Sequence, residues 1–290
     1  MSKIIIRNSC LIAWKLFSVL SLLITTTFLF FPDLIDNIKK YPLGSRIIFM
    51  LGLLLILFIL GFILVSIKRK IVIQFSETET EIEISSGKLF DNGCRCYDGY
   101  NVITTSELFC STMGPYVSDN TTHFEFLKQI IGNNVNMIEQ EINKSLSHTT
   151  PKNPGEEPKR YPLGTTAVAR FGHDKYIFLA IVEKDEEYKC IPTSIQDFLK
   201  VLNELWKVIR TENDGCVVNM TLIGSGRSNV KMSPYHILQT ILMSLYYESQ
   251  NNNVVKKLRI IIDEKKIKLI DLNNIKSYWD AAAQIGHSDT

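Results

Sequence analysis

Neither glycine-bracketed loop of this 290-residue chain is followed by Gly-Lys-Ser/Thr, so the Walker phosphate-binding pattern is excluded. No third glycine falls in register either, which removes the dinucleotide-binding fingerprint. Cysteine is scarce at six, and the one close pair, Cys94 and Cys96, has neither a second pair nor histidines at zinc-ligand spacing. It reads as two small loop thiols rather than a zinc site. An excess of one charge sign is also missing, the net being +2, but the balance is divided along the chain. The first 70 residues hold nine Lys/Arg and two Asp/Glu, so the remainder carries about −5. A domain of that sign is a poor nucleic-acid binder, and no nucleic-acid partner is expected, although local backbone donors can still hold a small anion.

What the sequence does hold begins with two long apolar runs. Residues 47–67 contain no charged side chain, and 21 helical residues at about 1.5 Å each span the roughly 30 Å of a bilayer core. Residues 16–31 form a second uncharged run, which reaches back to about residue 12 because Lys15 can snorkel towards headgroups. A cleaved signal peptide competes for this first run, but its apolar region would be unusually long and is followed by Pro32-Asp33 instead of a small-residue cleavage site. We therefore expect a transmembrane hairpin in residues 1–70, with helices over about 12–31 and 47–67, and a soluble domain over 71–290. Lys3, Arg7, Lys15, Lys68, Arg69 and Lys70 flank the hairpin, against Lys39, Lys40 and Arg46 in its loop. The positive-inside rule then places both termini and the soluble domain in the cytoplasm, on a multi-pass inner-membrane protein. Five of the six cysteines lie in that domain with no spaced framework, as reduced thiols do, and the sequons at Asn120, Asn143 and Asn219 become chance matches.

In the soluble domain, alternation predicts strands over 71–75 and 79–84, a turn over 85–91, and a short strand over 101–105 ending in Thr104-Thr105-Ser106. Helical spacing covers 124–131 and 135–146. Prolines at 151, 154, 158 and 162 make 147–162 a loop, either filler or a lid, and we read filler. Strands over 167–171 and 176–183 flank the turn Gly172-His173-Asp174. Thr193 or Ser194 caps the next helix, whose apolar stripe is Ile195, Phe198, Leu199, Leu202, Leu205, Trp206 and Ile209. Val217, Val218, Met220, Leu222 and Ile223 form a strand, and Ser233 with Pro234 starts a helix shortly after it. Late strands are expected over 257–263 and 266–270, with a short docked helix in the tail. Strands alternating with helices indicate an α/β domain, in which ligands sit outside the carboxyl ends of the strands.

Between the strand ending at Ile223 and the helix at Ser233 lies Gly224-Ser225-Gly226-Arg227-Ser228. Its glycines let the backbone turn and bring N–H groups close to an anion, while Ser225, Arg227 and Ser228 offer side-chain donors. The same pattern also serves as a plain strand-to-helix connection. A second loop of this kind, Tyr161-Pro162-Leu163-Gly164-Thr165-Thr166, leads into the strand at 167. Two cradles in one crevice suit a diphosphate better than a single phosphate.

Tyr161-Pro162-Leu163-Gly164-Thr165-Thr166-Ala167-Val168 and Leu222-Ile223-Gly224-Ser225-Gly226-Arg227, with the helix over 233–245, together resemble the macro domain of Thoeris antiphage defence effectors. The resemblance covers about residues 71–272, and the two helices ahead of it resemble the membrane-bound form of that effector. It implies a macro-domain-like mixed sheet flanked by helices, preceded by the hairpin, and a receptor without catalytic residues, metal or resident cofactor. Macro domains bind ADP-ribose and its derivatives, and in Thoeris systems a partner TIR protein makes an ADP-ribose-type signal from NAD. The implied ligand is histidine-ADP-ribose, and the implied output is a ligand-induced homo-oligomer that damages the lipid bilayer.

Carried onto this chain, Gly224, Ser225, Gly226, Arg227 and Ser228 hold the diphosphate, Gly164, Thr165 and Thr166 close or support the pocket, and Thr105, Ser106 and Glu107 lie near the distal ribose. Macro domains commonly have Gly-Asp-Ile at the adenine end where this chain has Gly87-Lys88-Leu89, which leaves Asp91 as the replacement carboxylate. The Asn-rich strand end of hydrolytic macro domains is replaced by Thr104-Thr105-Ser106, which favours a binder. Two other readings compete with the receptor. A membrane-tethered ADP-ribosyl hydrolase would use Glu107, Asp91 or His236 as base, and a scaffold would use its glycine loops only as connections.

Overall fold

The computed structural model describes residues 70–286 apart from 77, 92–98, 115, 133 and 213–214. The chain divides into two units, Met1–Arg69 and Lys70–Thr290. The expected hairpin over 12–31 and 47–67 and the Cys94/Cys96 pair lie outside the described residues. Among the described residues no helix is long and apolar enough to cross a membrane, and no group of three or more His, Cys, Asp or Glu is placed to hold a metal.

Among the described residues eight strands are present: β1 (Lys70–Gln74), β2 (Glu81–Ser86), β3 (Tyr100–Ser106), β4 (Thr166–Phe171), β5 (Asp174–Lys184), β6 (Cys190–Ile191), β7 (Val217–Thr221) and β8 (Lys257–Ile262). Seven of them run in the order β1-β2-β8-β7-β3-β5-β4, and β6 pairs with β5. The five central strands β2, β8, β7, β3 and β5 are mutually parallel, and β1 and β4 close the two edges antiparallel. Among the described residues six α-helices surround the sheet: α1 (Thr122–Phe126), which passes into a π-helical turn over Leu127–Ile131, α2 (Val135–Ser145), α3 (Ile195–Glu212), α4 (Pro234–Asn251), α5 (Glu264–Ile267) and α6 (Leu272–Gly286).

Period-two alternation sorts the strand residues into two cores. In β5, Ile177, Leu179 and Ile181 join α3, α4 and α6 on one face, while Tyr176, Phe178 and Ala180 join α1 and α2 on the other. Because both faces are covered, the central strands read as nearly continuous apolar runs. Helix starts follow their caps: Ser194 Oγ accepts from Asp197 N at 3.0 Å ahead of α3, and Ser233 Oγ accepts from His236 N at 3.3 Å ahead of α4, with Pro234 in the first turn.

The strand expected over 266–270 does not form. β8 ends at Ile262, and Asp263 Oδ1 accepts from Lys265 N at 2.9 Å, which caps the short helix α5 instead. Ile267 ends the helix and Ile270 closes the turn after it, its N donating to Ile267 O at 3.1 Å, and both are buried against the core. Asn219, in one of the three sequons, is fully buried in β7 and donates to Asn101 Oδ1 of β3 at 3.1 Å.

Candidate functional site

The parallel strands end on one side of the sheet, and a cleft of about 340 Å³ follows their carboxyl ends from β2 to β5. Gly87, Lys88 and Leu89 come from the end of β2, and Asp263 from β8. The glycine loop 222–228 comes from β7, Thr104, Thr105 and Ser106 from β3, and Ile181, Val182 and Lys184 from β5. Segment 116–123, which runs into α1, forms the facing wall.

Gly224 adopts φ +87°, and a Cβ there would stand 2.9 Å from Phe198 Cε2, so only glycine lets the loop lie this close to α3. Inside the loop, Ser225 N donates to Leu222 O and Asn229 N to Gly226 O. The amides of Gly224, Gly226, Arg227 and Ser228 donate to no protein acceptor among the described residues. Clustered backbone N–H groups of this kind form a concavity for an anion. Ser225 contributes no free hydroxyl, because its Oγ donates to Leu222 O at 2.6 Å. From beneath, Lys266 Nζ donates to Ser225 O at 2.8 Å and to Ser225 Oγ at 3.1 Å, and burial pushes this ammonium below its ordinary value of 10.5. On the β5 side, Thr193 N donates to Ser228 O at 2.8 Å and its hydroxyl donates to Ile181 O at 2.6 Å. The loop is therefore tied down at both ends.

Arg227 is exposed and reaches across to Asp119 O at 3.5 Å. Its guanidinium is thus placed at the cleft rim with its charge available to a phosphate. Arg227→Ala is expected to lower affinity for a phosphate-bearing ligand about tenfold to a hundredfold while leaving the unfolding midpoint unchanged, since the side chain packs against nothing in the core. Titration calorimetry beside a urea melt separates the two effects.

His123, in the first turn of α1, is 3% exposed. Its Nδ1 stands 3.1 Å from Thr105 Oγ1, and its Nε2 has no hydrogen-bond partner among the described residues. Burial, and secondarily the charge of Lys184, pushes its imidazole down from 6.5 to about 4. The unfolded chain therefore binds a proton that the folded chain refuses between about 6.5 and 4. Stability is complete above that window and falls as pH drops through it, by on the order of 3 kcal/mol. Urea midpoints measured from pH 7 to 4 should show this loss in the wild type, and His123→Gln should be flatter over the same window.

The sequence-predicted residues distribute unevenly. Gly224, Ser225, Gly226, Arg227, Ser228, Thr105 and Ser106 all line the cleft. Gly164, Thr165 and Thr166 do not, because their loop is pinned to the sheet: Gly164 N donates to Ala180 O, and Ala180 N donates to Thr165 O, each at 2.9 Å. Gly164 lies against α3, where a Cβ would come within 3.1 Å of Glu204. Asp91 is exposed outside the lining, and its Oδ2 accepts from Lys88 N at 3.2 Å. Asp263, at the end of β8, is the carboxylate that this part of the cleft does contain, together with Glu125, which pairs with Lys88 at 2.9 Å.

The three groups expected as possible bases are engaged or elsewhere. Glu107 is 2% exposed and ion-paired with Arg160 and Lys152. Asp91 holds the β2 turn, and His236 sits beside Ser233 in a separate groove between α3 and α4. Sequence reasoning missed His123, Lys184, Lys266 and Asp263. Only Asp263 had a visible signal, a carboxylate closing the apolar run 258–262 at a strand end.

The family model for Thoeris protein ThsA, Macro domain, matches residues 82–263, well over half of the chain. The chain belongs to this family. The match takes in β2 from its second residue through β8 and every strand end that lines the cleft, and leaves β1, α5 and α6 outside it. None of the curated proteins matches the chain. Among solved structures, the Oceanobacillus iheyensis macrodomain with ADP has 8% identity and a TM-score of 0.49, covering 73% of this chain and 97% of that one. A mutant of that macrodomain with ADPR has 9% identity, a TM-score of 0.49, and coverage of 73% and 99%. The same macrodomain with MES bound has 9% identity, a TM-score of 0.47, and coverage of 73% and 96%.

Proposed function

We propose that this ThsA macro domain is a receptor for an ADP-ribose-type nucleotide signal in Thoeris antiviral defence. The observation that carries the reading is the tied-down loop 224–228, in which the amides of Gly224, Gly226, Arg227 and Ser228 donate to no protein acceptor among the described residues and which stands at the carboxyl ends of the parallel strands. A diphosphate placed on those amides has Arg227 at the rim, Gly87–Leu89 and Asp263 towards one end, and Thr105 and Ser106 towards the other. The loop with Gly164, Thr165 and Thr166 supports the β5 side. Glu107 and Asp91 are engaged outside the cleft lining and His236 lies in a separate groove, so none of these three is placed as a base in the cleft.

In the same proposal, the signal comes from a partner TIR protein and is histidine-ADP-ribose. The apolar runs over 12–31 and 47–67 anchor the chain in the inner membrane with this domain in the cytoplasm, and ligand-driven homo-oligomerisation disrupts the bilayer. A ligand drives such assembly only by its preference for the assembled state. Calorimetry on the full chain in detergent with ADP-ribose, histidine-ADP-ribose, cyclic ADP-ribose isomers and NAD tests the binding, and sizing with each binder tests the assembly. Binding of at least one ADP-ribose compound, lost in Gly226→Val, is the expected result. No heat with any of them would sink the receptor.

A further inference from the structure

Strand register fixes the end of the sheet at which the chain enters it. β1 runs antiparallel to β2, and its first residue, Lys70, stands opposite Ser85, which in turn stands opposite Ile261 of β8. Lys70 therefore lies in one row with the penultimate residues of two parallel strands, about 10 Å from β8 across two strand spacings. That is the carboxyl end of the sheet. The nucleotide cleft is at the same end, its lining including Gly87, Lys88, Asp263 and Lys266. The other end of β1 leads instead into a turn that exposes Glu79.

Beside β1, the segment that follows β8 projects from this carboxyl end. Asp263 caps α5, and the buried Ile267 and Ile270 fasten the turn to the core, with Leu269 N donating to Lys266 O at 2.9 Å. Lys265, Lys268 and Leu269 are left exposed, Leu269 by 60%. Among the described residues neither Lys265 nor Lys268 joins an ion pair, whereas Lys70 pairs with Glu83 at 3.0 Å and Lys266 bonds Ser225. Three lysines against Asp263 and Glu264 leave segment 263–269 a net +1, and Lys68, Arg69 and Lys70 add to it in sequence. A single exposed leucine is ordinary on a protein surface. Its place between unpaired ammoniums, at the end where the chain arrives, is what gives it meaning.

Chain reach supplies the occupant. Only Lys68 and Arg69 separate the apolar run 47–67 from β1, so Lys70 lies within about 10 Å of the end of that run.

We infer that Lys265, Lys268 and Leu269, with Lys70, form a docking surface for anionic lipid headgroups, and that the domain rests on the leaflet with its cleft end towards it. This rests on the reading in which residues 47–67 cross the bilayer. The ammoniums meet lipid phosphates, each lysine favouring an anionic leaflet about fivefold, and Leu269 reaches past them to the acyl boundary. The nucleotide cleft then opens beside the leaflet.

The test is amine acylation of the full chain in lipid nanodiscs of phosphatidylcholine, alone or with about one-third phosphatidylglycerol, read at each lysine by mass spectrometry. Lys265 and Lys268 should react at least about threefold more slowly in the anionic discs, and about 0.5 M salt should remove the difference. Lys256, exposed just before β8 at the opposite end of the sheet, should react alike in both. Leu269→Glu changes an exposed side chain outside the cleft lining, so it should restore the reactivity of both lysines without altering ADP-ribose affinity. Equal acylation in the two discs, or protection that persists in detergent where no leaflet exists, would overturn the docking surface alone. A full chain that does not co-purify with the discs would overturn the membrane reading, and this surface with it.

Discussion

Gly224→Ala is expected to destabilise the domain by about 2–4 kcal/mol and to abolish measurable nucleotide binding. Two independent terms contribute. The left-handed backbone at φ +87° costs a non-glycine residue about 1–2 kcal/mol. The new Cβ would also meet Phe198 at 2.9 Å and Val230 at 3.3 Å, and Phe198, on the inner face of α3, is fully buried with no room to retreat. Gly226→Ala is the matched control, because nothing lies within 4 Å of its Cβ position. It should change stability by less than about 0.5 kcal/mol. Urea melts of the two variants side by side decide the matter, and a Gly224→Ala protein as stable as wild type would mean that the loop is soft.

The second large effect is expected at Glu107. This carboxylate, buried just beyond β3, pairs with Arg160 and Lys152 and accepts from Lys184 N at 3.3 Å. Its own backbone N–H donates to Val182 O at 3.0 Å, and its carbonyl accepts from Tyr161 N at 3.0 Å. One residue thus joins the end of β3, the end of β5 and the proline-containing loop 149–165. Removing the charge leaves Arg160, only 28% exposed, facing a neutral group. Glu107→Gln should cost about 2–3 kcal/mol, and it should open 152–160 to proteolytic nicking. Pairing it with Arg160→Met should recover part of the loss, which a simple sum of the two single effects would not. Lys152→Met should cost less, because that partner is 39% exposed.

Loop 147–162 was read as filler, and Glu107 shows why that reading was incomplete. Lys152 and Arg160 come back to the sheet through partners 45 and 53 residues away, and no local pattern announces such a contact. The same limit governs the cleft. The strand and glycine loop at 217–228 were legible because apolar alternation, the two glycines and the Ser233-Pro234 start are all local signals. The facing wall was not, because Tyr116, Asn120 and His123 meet the glycine loop only through the parallel order of β3 beside β7. Gly164 misled for the opposite reason. A glycine at φ +88° looks the same in sequence whether it serves an anion or, as here, a close approach to a helix. The segment 266–270 misled because two isoleucines three residues apart satisfy a helical turn as well as a ragged strand.

Loop 222–228 is fastened from below by Lys266 and from the side by Thr193, both through its own carbonyls. Its shape is consequently settled when the chain folds, before any nucleotide arrives. A ligand meeting such a surface loses its own freedom but need not quiet the protein's, so more of the contact energy survives as affinity. The loop's readiness for phosphate therefore depends on two residues, Lys266 and Thr193, that bond its carbonyls, Lys266 from within the cleft lining. The part of the site left to respond is the opposite wall, where Arg227 and the carbonyl of Asp119 make a long bridge across the opening.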